Sequence, residues 1–100
     1  MLEGDPQPLA IASTVLAPAT VSALRRHPYH LVGWRIADRW AFQQPERLRA
    51  LEADGEVLVL IRVLEQQQLE HEALIDALDE PHAGLSPTDI LQQRGIDLRL

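Results

Sequence analysis

The chain has no cysteine, no lysine and no asparagine among its 100 residues, and only four aromatic side chains. The missing thiols exclude disulfides, thiolate nucleophiles and every zinc or iron–sulfur site built on sulfur ligands. Lysine and asparagine share AT-rich codons, so their joint absence points to a GC-rich source genome and says nothing about activity. With so few aromatics the core falls to aliphatic side chains. Leucine fills 17 positions and alanine 12, a supply that favours helices over a β-sandwich.

Positive charge is scarce as well. Fifteen Asp and Glu face nine Arg, for a net charge of −6. Such a field repels DNA phosphate on average and argues against nucleic acid as a partner. No stretch reads as a membrane span either. The uncharged run over 6–24 is broken by Pro6, Pro8 and Pro18, and Glu3 and Asp5 stand where a signal peptide needs basic residues. A cytoplasmic location with no membrane partner is expected, and a chain of this length makes one folded domain.

Proline and glycine divide the sequence. Residues 1–17 read as a flexible or loosely ordered N-terminal arm, and 18–100 as a single helical domain. Helices are expected over 20–27, ended by Pro28, and over 31–43, whose broad apolar arc makes it central. A third is expected over 45–53, with Pro45 at its first position and Gly55 after its end. The longest runs over 56–79. Residues 56–64 alone also suit a buried strand, but no second strand stands near to pair with them. Ser86, Pro87 and Asp89 open a last short helix that Gly95 closes. The alternating segment 96–100 suits an edge strand. The expected fold is therefore all-α, a small bundle of four to five helices with one long helix at about 56–79. Trp34, Ile36, Trp40, Leu60, Ile61 and Leu64 are its expected core.

Residues that could carry chemistry are few. His27, Tyr29 and His30 cluster across Pro28, and a metal site there would need a third ligand such as His71 or Glu72. The cluster lies across a proline and not on one helix face, so no metal or other cofactor is expected. Ser13, Ser22 and Ser86 lack a nucleophile elbow, and no Gly-rich phosphate loop occurs. The acidic set Glu65, Glu70, Glu72, Asp76, Asp79 and Glu80 lies on a helix without flanking pocket residues. The chain reads as non-enzymatic.

Association is the function that these residues suggest. Val57, Leu60, Ile61, Leu64, Ile75 and Leu78 share one stripe of the long helix, with Gln68 and His71 in its middle. The shorter helices can cover the first half of this helix but are poorly placed to cover Leu69, Leu74, Ile75 and Leu78. A second copy can cover them, with Gln68 and His71 as a polar layer that fixes register. The expected partner-binding set is Gln68, His71, Glu72, Leu74, Ile75, Asp76 and Leu78, whose carboxylates would suit a basic protein. The chain thus reads as an acidic protein-interaction module and a homodimer: a regulatory or accessory subunit, a chaperone-like protein or an inhibitor. The alternative is a small DNA-binding regulator using Arg25, Arg26, Arg35, Arg39, Arg47 and Arg49.

Overall fold

Punctuation by proline, glycine and serine sets the helix ends. A computed structural model describes residues 8–78 and 86–100. Among the described residues there are five α-helices, one short 3₁₀ turn at Ala12–Thr14, and no strand. The helices are α1 (Pro18–Leu24), α2 (Leu31–Gln43), α3 (Pro45–Asp54), α4 (Glu56–Ala77) and α5 (Pro87–Gln93). The all-α class, the central second helix and the long fourth helix agree with the sequence. No helix among the described residues is long and apolar enough to cross a membrane.

Each helix start has an identifiable cause. Pro18, Pro45 and Pro87 sit in the first turns of α1, α3 and α5, where a missing N–H costs nothing. The His30 ring accepts the Val32 N–H and so caps α2. Ser86 and Asp89 form a reciprocal capping box on α5. At Ala17, which has no capping side chain, Glu52 of α3 substitutes. Its carboxylate accepts the Ala17 N–H at 2.9 Å and the Thr20 hydroxyl at 2.6 Å. Gly55, with φ at 151°, turns the chain directly from α3 into α4. The first helix stops three residues before the expected His27. Arg25 and Arg26 donate to Ser22 and Ala23, tightening the last turn ahead of a cis His27–Pro28 bond.

The core lies where α2 crosses α4 and α1 closes one side. Leu24, Ile36, Trp40, Leu48, Val59 and Val63 are all fully buried in it. Leu9, Ala12 and Leu16 join the same cluster. Residues 8–17, read from sequence as part of a loose arm, are therefore held: Asp38 of α2 accepts the Leu9 and Ala12 N–H groups, each at 2.8 Å. Residues 1–7 lie outside the described residues.

Two expectations need correction. Ile36 and Trp40 are buried as expected, but Trp34, Leu60 and Leu64 are only half-buried and Ile61 is 49% exposed. The side of α4 that meets α2 is Val59, Val63, Gln66, Gln67, Glu70 and Ala73, not the apolar stripe. The segment 96–100 pairs with no strand, since there is none among the described residues, and its backbone is held largely by side chains.

Candidate functional site

Turning the stripe of α4 outward leaves a line of apolar side chains exposed on the surface. Val57, Ile61, Leu64, Gln68, His71, Ile75 and Leu78 recur at alternating intervals of four and three residues. That interval keeps a single line along a helix and is the spacing of a coiled-coil seam. Leu64 is half-buried and the other six are exposed, Leu78 at 77%. Leu58 and Leu69 widen the apolar band, and Glu65, Glu72 and Asp76 edge it with negative charge. From Val57 to Leu78 the stripe runs about 32 Å at 1.5 Å per residue.

Six of the seven residues expected at a partner surface thus share one outward side: Gln68, His71, Glu72, Ile75, Asp76 and Leu78. Leu74 does not. It is half-buried and lines a cavity of about 340 Å³ with Val32, Leu91 and the Arg39–Glu70 pair. His71 meets the His30 ring edge-on, with centroids 5.0 Å apart. Asp79 and Glu80 lie outside the described residues.

The inward side of α4 carries a polar layer that the sequence did not disclose. Glu70, 3% exposed, pairs with Arg39 at 2.6 Å and accepts the Gln66 amide at 2.7 Å. Gln66 in turn accepts from Arg62, whose guanidinium lies over the Trp40 ring. Gln67 clips the loop before α2, accepting the His30 N–H and donating to the Pro28 carbonyl. Every buried polar head is therefore partnered, which makes this layer structural. Gln66 and Glu70 stand four residues apart, the spacing of helix-face neighbours, and that was the available signal.

The His27–His30 cluster resolves into separate duties. His27 is exposed, His30 caps α2, and the Tyr29 hydroxyl donates to the Leu60 carbonyl at 2.6 Å. Burial pushes the Tyr29 phenol pKa up. Among the described residues no three histidine or carboxylate side chains gather to hold a metal ion. Of the arginines that could face DNA, Arg39 is committed to Glu70.

No family model, no curated protein and no solved structure matches this chain. The reading of the surface rests on its own geometry.

Proposed function

We propose that the chain is a non-enzymatic protein-interaction module whose working surface is the outward stripe of α4, and that a second copy of α4 covers it. A module of this kind acts as a cytoplasmic regulatory or accessory protein, by masking or assembling. The observation that carries the reading is the symmetry of the stripe about Gln68. In an antiparallel pairing, Val57 of one copy lies opposite Leu78 of the other, Ile61 opposite Ile75, Leu64 opposite His71, and Gln68 opposite itself. Two facing carboxamides satisfy each other, donor to acceptor. Sliding one helix by a heptad would set Gln68 against Ile61 or Ile75 and strand its amide, so the polar layer selects one register.

Charge separates this reading from a basic partner. Across the two-fold seam Glu65 of one copy approaches Glu72 of the other, a like-charge contact that salt screens. Self-association should strengthen as salt is raised, whereas binding of a basic protein to this acidic edge would weaken. Sedimentation equilibrium at micromolar concentration, with and without Ile75→Glu, tests the seam. The expected result is a dimer that the substitution weakens at least tenfold. A monomeric unmodified chain, or a dimer indifferent to Ile75→Glu, overturns it.

A further inference from the structure

The segment Ile96–Leu100 lies along the inward side of α4, away from the seam. It sits in a groove formed by α2, the α2–α3 corner and α4. The Ile96 N–H donates to the Leu91 carbonyl at 3.0 Å, and the rest of the segment's backbone is held by side chains that reach it. Trp40 Nε1 and Arg39 Nε both donate to the Leu98 carbonyl, at 2.9 and 3.0 Å. Gln66 Nε2 donates to the Asp97 carbonyl at 2.8 Å, and Gln44 Oε1 accepts the Leu100 N–H at 2.8 Å. These contacts reach the carbonyl and amide groups of its backbone and not its side chains, which is how peptide-binding grooves obtain affinity.

Side-chain selection comes from alternation. Ile96, Leu98 and Leu100 are half-buried while Asp97 and Arg99 are exposed, and Leu100 packs on the core. The polar heads of the groove also have partners outside the segment. Arg39 is fixed by Glu70, Gln66 by Glu70 and Arg62, and the Trp40 ring by the Arg62 guanidinium 5.0 Å above it. Such preorganisation lowers the cost of receiving a ligand. Next to Leu100 the groove opens into a cavity of about 370 Å³ floored by Ala50 and Leu51, with Arg47, Asp54 and Arg62 around it. The segment itself is shallowly placed, since none of its five residues is fully buried, and elements with so little burial open locally at small cost.

We propose that this groove is a peptide-binding site, occupied in cis by Ile96–Leu100, that takes in trans an extended segment of a partner protein with leucine-like side chains at alternate positions. The partner segment displaces residues 96–100 and keeps the four backbone contacts. This inference does not depend on the α4 seam, because its contacts come from the opposite side of that helix.

The probe is a fluorescent peptide with the sequence of residues 95–100, titrated by anisotropy into the full chain. It is titrated in parallel into a full chain carrying Leu98→Asp and Leu100→Asp, which loosen the cis segment. The doubly substituted chain should bind the peptide saturably and at least tenfold more tightly than the unmodified chain. Adding Trp40→Phe, which removes the indole donor, should weaken that binding at least fivefold, and Ile75→Glu should leave it unchanged. A peptide with its three apolar residues made adjacent should bind at least tenfold more weakly. A measurement free of variants uses the unmodified chain: millimolar peptide should accelerate hydrogen exchange at residues 96–100. Failure of the folded double variant to bind, binding that ignores leucine spacing, or unaltered exchange at 96–100 each overturns the proposal.

Discussion

The carboxamide of Gln67 occupies the space that a side chain on Gly33 would need: a Cβ there would run into Gln67 Oε1. That oxygen accepts the His30 N–H at 3.1 Å, and the same amide donates to the Pro28 carbonyl at 3.1 Å. Gly33 is thus the residue that lets α4 reach across α2 and fasten the loop ahead of it. Gly33→Ala gains about 1 kcal/mol of helix propensity but evicts a doubly bonded amide, at about 1 kcal/mol per hydrogen bond plus strain. A net loss of about 1–2 kcal/mol is expected in urea unfolding. In a Gln67→Ala background the same change should be neutral or stabilising. Additive effects of the two substitutions would contradict the clip.

Asp38 holds two amides of the segment that precedes α1, and one belongs to Leu9, whose φ of 70° is unfavourable for a branched side chain. Asp38→Ala should cost about 2–4 kcal/mol, since bonds to a charged acceptor are worth about 1.5–3 kcal/mol each. Hydrogen exchange localises the effect. Protection over residues 9–16 should fall well before that of α2 and α4, and uniform loss across the chain would argue against a local fastening.

Glu70 is almost fully buried and serves both Arg39 and Gln66. Glu70→Ala leaves a partly buried guanidinium and a buried amide short of a partner, so a loss of about 3–5 kcal/mol is expected. Replacing both members of the pair, Arg39→Met with Glu70→Met, should cost less than Glu70→Ala alone, because no buried charge is stranded. Thermal unfolding of the three variants decides this, and the reverse order would rule out stranded charge as the cause.

The single tyrosine gives a direct optical reading of one buried contact. Tyr29 is held neutral by burial, so its folded pKa lies above the ordinary value of about 10. Its contribution to stability is complete below the unfolded value and is lost as pH rises through the folded one. Tyrosinate absorbance should therefore appear at higher pH in the folded chain than in urea. Coincident titrations in the two states would refute the burial.

Helix existence and most helix limits were legible because they are written in local chemistry. Leu31 to Gln43 matches the expected range of α2, framed by a capping ring and by Pro45. The facing of α4 was not legible. Hydropathy favours turning Ile61 inward, yet Gln66, Gln67 and Glu70 go in because two loops, at Pro28–His30 and Asp97–Leu98, bring backbone groups that need partners. A glutamine that serves a distant backbone looks, in sequence, like one facing solvent. The same holds for 96–100, where alternation suits strand pairing but the partners are the heads of Trp40, Arg39 and Gln66. Of the expected partner set, Gln68, His71, Glu72, Ile75, Asp76 and Leu78 are exposed, whereas Leu74 faces the cavity beside α5, a packing that periodicity along α4 does not disclose.

The fastening of Leu9 and Ala12 by Asp38 also has a meaning in time. The amides are made 29 and 26 residues before the carboxylate that receives them. During synthesis the segment over 9–16 emerges before α2, and the carboxylate that holds it arrives only with that helix. Glu52 repeats the arrangement for Ala17 and Thr20, 35 and 32 residues later. The stretch over 9–16 thus settles only once α2 has been made, and its leucines are open to chaperones and proteases for the interval it takes to translate α1 and α2.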